Sequence, residues 1–212
     1  MINFFGMEIL YQICKNSDYM KQLKFRNVTI SGLPGAGSST LGKGLAKELN
    51  WKYFSGGEFM RHYAITQGLF DKNNQMHHKA TVYGDEFDRK VDYGMRESLQ
   101  KEEQKIYDAW LAGFVAQGIE GVLKVLLYCS SDEVRVDRIV NRDKISVEQA
   151  KEHIFDREEQ NLKKWIRMYQ QEWQAWVGKS KIDFYQPQLY DLAIDTYAND
   201  RDKTLKLVLE KL

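Results

Sequence analysis

The sequence predicts an α/β protein built on a parallel sheet flanked by helices, and three observations carry that prediction. Short apolar runs rich in β-branched residues alternate with amphipathic, charge-rich stretches, the pattern of strands joined by helical crossovers. A glycine-rich turn, Gly32-Leu33-Pro34-Gly35-Ala36-Gly37, stands between the first such run and the first helical stripe. Only two prolines, Pro34 and Pro187, occur in 212 residues, which favours long helices.

The elements follow in order. Residues 25–31 (F-R-N-V-T-I-S) predict a buried strand ahead of the glycine turn. Over residues 38–49, Leu41, Leu45 and Leu49 form one helical stripe, with Lys43, Lys47 and Glu48 elsewhere. Residues 51–54 predict a brief second strand. After Gly56-Gly57, helical patterns run to about residue 103, interrupted near residues 68–74 and around Gly84. Residues 106–110 and 123–129 predict further strands, and a long charge-rich helical region covers about 131–177. Residues 189–195 predict a last strand, with a closing helix from about residue 200. Residues 1–24 stand outside the pattern and are expected to be a helical extension, leaving residues 25–212 as one domain.

Composition excludes several classes. A formal net charge of +1, with 43% hydrophobic and 29% charged residues, describes an ordinary soluble domain without a bulk field for nucleic acid or an anionic membrane. Cys14 and Cys129 have no ligand-like spacing, so a reduced cytoplasmic protein is expected. The N-terminal apolar run is broken by Gly6 and Glu8, unlike a signal peptide or a membrane span. The histidines, including the pair His77-His78, show no metal-ligand pattern.

The chemistry begins at residues 32–40. A tight glycine turn between a buried strand and a helix directs several backbone N–H groups at one point. Gly35 and Gly37 can take the positive φ values this needs, and the helix N-terminus adds partial positive charge. Such a nest suits a nucleotide phosphate. Against G-x-x-x-x-G-K-[ST], Gly32 and Gly37 fit, Ser39 takes the Mg²⁺-binding hydroxyl position, and Ser38 stands where the lysine is expected.

Arg135, Arg138 and Arg142 fall at i, i+3 and i+7, on one helical face, where arginine suits a transferring phosphoryl group. Neutralisation by Asp132, Glu133, Asp137 and Asp143 on a solvated surface fits the same spacing. Lys163, Lys164 and Arg167 interleave with Trp165, Trp173 and Trp176; with Glu158, Glu159 and Glu172 alongside, a helical lid with inward aromatics is expected rather than a nucleic-acid groove. Asp108 ends a strand, where ligands collect in open α/β sheets; an ordinary loop aspartate is the alternative. Asp88, Arg89 and Asp92 are helically spaced, as solvated helix charges also are.

From about residue 28 onward the chain resembles the archaeal-type cytidylate kinases, within the nucleoside monophosphate kinase family. T-I-S-G-L-P-G-A-G-S-S-T resembles that family's phosphate loop, and Y-F-S-G-G-E-F-M-R (53–61) its entry to the monophosphate-binding region. D-A-W-L-A-G (108–113) resembles a segment that usually reads E-G-R-L-A-G, with Trp110 at the arginine. V-R-V-D-R-I-V-N-R-D (134–143) and D-R-E-E (156–159) resemble lid signatures, and Y-D-L-A-I-D-T (190–196) the final strand.

The resemblance implies a three-layer P-loop kinase fold with a helical acceptor-binding insert at about 56–104 and a lid at about 142–180. It implies ATP with Mg²⁺ at Gly32, Gly35, Ala36, Gly37, Ser38, Ser39 and Thr40, Ser39 touching the metal, and transfer of the γ-phosphoryl group to CMP or dCMP. Arg61, with Asp88 and Asp108, would hold the acceptor; Arg135, Arg138, Arg142 and Arg157 would stabilise the transition state. A cytoplasmic monomer is expected. Two alternatives stand beside it: a kinase of another small acceptor such as AMP, and a nucleotide-binding sensor or partner without catalysis.

Overall fold

The computed structural model describes residues 23–66 and 83–212. The expected N-terminal helix and the His77-His78 pair fall outside those residues, apart from Leu23 and Lys24. Five strands, β1 (Asn27–Gly32), β2 (Lys52–Ser55), β3 (Lys105–Asp108), β4 (Val122–Tyr128) and β5 (Leu192–Asp195), form one sheet in the order β2-β3-β1-β4-β5, every pair parallel. Each connection therefore crosses over through a helix, as the alternating pattern requires.

The first four helices are α1 (Ser38–Leu49), α2 (Gly56–Thr66), α3 (Asp85–Lys101) and the single turn α4 (Ala112–Val115). The remaining five are α5 (Asp132–Asp143), α6 (Val147–Lys151), α7 (Arg157–Met168), α8 (Gln170–Trp176) and α9 (Arg201–Lys211). The charge-rich region is helical, as expected, and consists of several consecutive helices. Lys144 ends α5 in the left-handed conformation, a wide turn over Glu152–Asp156 leads into α7, and Tyr169 separates α7 from α8.

Strand β1 is the middle of the sheet, and all six of its residues are buried. Its alternation divides the core into two layers. Val28 and Ile30 pack with Leu41 and Leu45 of α1, Val208 of α9, and Ile106 and Leu123 of the neighbouring strands. On the opposite side Phe114 is the centre of an aromatic group with Tyr169, Trp173, Trp176 and Phe184. Trp165 and Trp173 are buried, so these aromatics face inward as expected. Side chains of this size contribute about 1.5–3 kcal/mol each on burial, which fixes α7 and α8 against the sheet. No helix among the described residues is long and apolar enough to cross a membrane.

The register Ile30↔Asp108 brings the carboxyl end of β3 beside the end of β1. Two segments far apart in sequence, the glycine turn and the residues after β3, are thereby joined at one edge of the sheet.

Candidate active site

The turn after β1 is built and held by its neighbours. Gly35 and Gly37 take φ of +83° and +93°, a region closed to most side chains. A Cβ on Gly35 would lie 2.8 Å from the carbonyl oxygen of Arg135, so turn and α5 meet backbone to backbone. Arg135 Nε donates to the Pro34 carbonyl (3.1 Å), and its other nitrogens to Asp132 (3.1 Å) and Glu158 (2.9 Å). Arg138 donates to the Gly35 carbonyl (3.0 Å) and to Thr196 Oγ1 (2.9 Å) and the Thr196 carbonyl (2.8 Å). Two of the three arginines on that helical face therefore grip the underside of the turn. The face is the one the spacing indicated; its neighbours are loop carbonyls.

On the other side, α1 begins after Gly37 with no side-chain cap, which leaves its first amides uncapped among the described residues. The Ala36 amide is occupied by the Leu33 carbonyl (3.0 Å), which sets Ala36 apart from its neighbours in the turn. Ser39 Oγ donates to Asp108 Oδ2 (2.7 Å), and the Tyr53 hydroxyl donates to the same oxygen (2.9 Å). Gly42 makes this possible: a Cβ there would stand 2.4 Å from the Tyr53 ring. Burial pushes the Asp108 carboxyl up, while hydrogen bonds from Ser39, Ser38 and Tyr53 oppose that shift. Asp108, expected on the acceptor side, is thus bonded to the hydroxyl of Ser39 in the turn-side helix. Lys43 pairs with Glu58 (3.0 Å) at the surface and does not take the place of the loop lysine.

A cavity of about 140 Å³ opens alongside, between α2, α3, α7 and the residues after β3. Each helix contributes one face. Asp88, Val91, Asp92 and Met95 come from α3 at helical spacing, and Arg157, Asn161 and Trp165 come from α7 at i, i+4 and i+8. Trp110, Tyr83 and Arg61 complete the polar and aromatic lining. The Arg157 guanidinium lies 5.1 Å from the centre of the Trp110 ring, and Trp110 meets Trp165 edge-on at 5.3 Å. Burial pushes Arg157 down to about 10; Tyr83 opposes this, and the nearby charges of Arg142 and Arg61 add to it. Among the described residues neither Arg61 nor Arg157 has a carboxylate partner, and Arg157 Nε is buried without a hydrogen bond. Like charges brought together without a counterion call for an anion.

The wall carries further unsatisfied groups. Lys164 Nζ donates to Asp88 Oδ2 (2.7 Å) and the Tyr83 carbonyl (2.8 Å), while Asp88 Oδ1 is buried without a partner. Asn161 is 2% exposed, and its Oδ1 also has none. Each buried unpaired acceptor costs about 1–3 kcal/mol. Burial raises Asp92 to about 7, although Tyr169 donates a hydrogen bond to it and so pulls the other way. Arg89 turns away, to Glu172 and the Met168 carbonyl. Arg142 pairs with Asp143 (2.7 and 2.8 Å), at the end of α5 nearest the cavity arginines.

Tyr53, Asn161 and Lys164 were not legible as site residues, and neither was the contact between Trp110 and Arg157. The one usable signal was the i, i+4, i+8 spacing of Arg157, Asn161 and Trp165, polar residues sharing a stripe with a core tryptophan.

Comparison with known proteins agrees with this architecture. The family model described as the cytidylate kinase-like family matches residues 27–198. The cytidylate kinase of Methanothrix thermoacetophila is 33% identical over 182 residues, covering 86% of this chain and 95% of that protein. The cytidylate kinase of Haloarcula marismortui is 31% identical over 182 residues, 86% of each. Among solved structures, a shikimate kinase from Acinetobacter baumannii in complex with shikimate aligns with a TM-score of 0.50 at 17% identity, covering 91% of this chain and 97% of that one. A gluconokinase from Sinorhizobium meliloti aligns with a TM-score of 0.50 at 12% identity, covering 90% and 93%. At such identities these two speak for the fold alone.

Proposed function

The chain belongs to the cytidylate kinase-like family, and we propose that it transfers the γ-phosphoryl group of ATP to a nucleoside monophosphate, CMP or dCMP in the first place. The observation that carries this reading is the adjacency of two anion sites. One is the uncapped start of α1 behind the glycine turn; the other is the cavity, where Arg61 and Arg157 have no carboxylate partner among the described residues. Donor and acceptor phosphates held side by side in a water-poor site need little further chemistry.

Roles follow from the contacts. Gly32, Gly35, Gly37, Ser38, Ser39 and Thr40 form the donor cradle. Ser39 and Asp108 present a hydroxyl and a carboxylate on one another, a hard oxygen set that fits Mg²⁺. These two would hold the ion, which when bound neutralises phosphate charge. Arg135 and Arg138 keep the turn in shape from beneath. Arg61 and Arg157 bind the acceptor phosphate, and Trp110, standing where the family has arginine, holds the Arg157 guanidinium across its ring. Arg142, close enough to influence Arg157, adds charge to the transferring group. Residues 56–104 act as the acceptor insert and residues 142–180 as the lid; closure there would expel water.

Turnover against CMP, dCMP, UMP, AMP and GMP, with ATP and with GTP as donors, tests the reading. CMP- or dCMP-dependent formation of diphosphate is expected. Transfer to AMP alone would move the activity to another acceptor, and nucleotide binding with no transfer to any acceptor would leave a non-catalytic sensor.

A further inference from the structure

We propose that Asp88 and Asn161 select an acceptor base carrying an exocyclic amine, Asp88 being the residue that rejects uracil. The inference rests on the acceptor reading above and deepens it. Three observations place a base at this depth. Arg157 and Asn161 lie one helical turn apart on α7, about 6 Å along the axis, so a phosphate on Arg157 leaves a ring near Asn161. Asn161 is 98% buried, as its 2% exposure gives, and lines the cavity with its amide oxygen unpartnered. Asp88 of α3 lines the same cavity, with one oxygen fixed by Lys164 and the other, Oδ1, buried with no donor.

The two groups differ in what they can discriminate. An amide presents a donor and an acceptor, and a half-turn of the side chain exchanges them, so Asn161 can meet either pyrimidine edge. A carboxylate held by Lys164 can only accept. Cytosine offers it an N–H of the 4-amino group, whereas uracil places a carbonyl oxygen there, acceptor against acceptor. Buried polar groups left unpaired are what allow a site to reject a close analogue strongly. Lys164 orients the carboxylate and is a positioning residue in this account. The charged groups facing Asp88 are Lys164, Asp85 one turn earlier on α3 and Asp92 one turn later.

The test is calorimetric binding of monophosphates to the intact protein with Mg²⁺ and a non-hydrolysable ATP analogue. The natural protein should prefer CMP to UMP by about 100-fold or more. Asp88→Asn, which can turn an N–H toward the 4-carbonyl, should reduce that preference below about tenfold, with the affinity for the ATP analogue unchanged. A second measurement does not depend on the variant folding. The CMP analogue with hydrogen in place of the 4-amino group should bind the natural protein at least about tenfold more weakly than CMP. Equal affinity for CMP and that analogue, or an unchanged CMP preference in a folded Asp88→Asn, overturns the assignment while leaving the kinase reading standing. Failure of the natural protein to bind any monophosphate removes both.

Discussion

The two halves of the site differ in how far the protein satisfies itself. Around the glycine turn the polar side chains are engaged and only backbone amides stay open: Arg135 and Arg138 grip loop carbonyls, and Ser39 and Tyr53 both bond Asp108. Around the cavity they are left open: among the described residues Arg61 and Arg157 have no carboxylate partner, and Asp88 Oδ1 and Asn161 Oδ1 have no donor. A donor cradle has to be rigid before ATP arrives, because its value lies in amides that are already aimed. An acceptor pocket gains discrimination from groups that only the right ligand satisfies. Substitutions should therefore act on stability and ATP in the first half, and on the acceptor in the second.

The largest effect is expected in the open half. Arg61→Ala combined with Arg157→Ala should lower kcat/KM for CMP by about a thousandfold or more, two charge-assisted contacts at about 1.5–3 kcal/mol each. The melting temperature and the ATP-induced shift should change little. Loss of folding in the double variant would mean that the cavity arginines are structural and would dissolve the contrast.

Gly37→Val tests the closed half. Gly37 has φ of +93° and nothing within 4 Å of where its Cβ would be, so the added side chain occupies the space in front of the turn. Thermal stabilisation by ATP with Mg²⁺, expected by mass action for the natural protein, should disappear. An undiminished shift would mean that the phosphates bind elsewhere.

Arg138→Ala should act differently from the cavity variants. It removes three hydrogen bonds between α5, the turn and Thr196, so unfolding stability should fall by about 1–3 kcal/mol and ATP affinity with it. A denaturant titration beside an ATP titration checks this. Slower turnover with stability and affinity both intact would instead return Arg138 to the transition state, the role its family resemblance implied.

The smallest effect is one of pH. Asp92 is raised to about 7 by burial, against about 3.9 unfolded. The folded chain therefore holds this proton more tightly, and its contribution to stability declines as pH rises from about 4 through 7. Asp92→Asn cannot titrate, so relative to the natural protein it should gain on the order of 1–3 kcal/mol between those limits. Parallel stability curves for the two proteins would show that the carboxyl titrates normally.

What the sequence made legible follows the same division. The donor half is written in nine consecutive residues between a strand and a helix, and local rules suffice to read it. The cavity is assembled from residues 56–61, 83–95, 109–111 and 157–165, which only the packing of three helices brings together. The arginine row of α5 lies between these cases. Its common face was readable from spacing, but whether that face meets a ligand or the loop carbonyls depends on how α5 sits against the turn. Gly35 records that contact, since its missing Cβ is what admits the Arg135 backbone. The last strand is shorter than its apolar run suggests because Pro187 opens a tight turn through Leu189, and pairing with β4 begins only at Leu192. Trp110 stands where the resembled segment has arginine, and in the fold its ring lies against Arg157, a guanidinium supplied from α7.

The central claim is that the open half holds the phosphate of a nucleoside monophosphate, and calorimetry with CMP and with cytidine tests it most directly. With Mg²⁺ and a non-hydrolysable ATP analogue present, CMP should bind the natural protein at least about 100-fold more tightly than cytidine, and Arg61→Ala with Arg157→Ala should remove most of that difference. Equal affinity of the natural protein for CMP and cytidine would contradict the account.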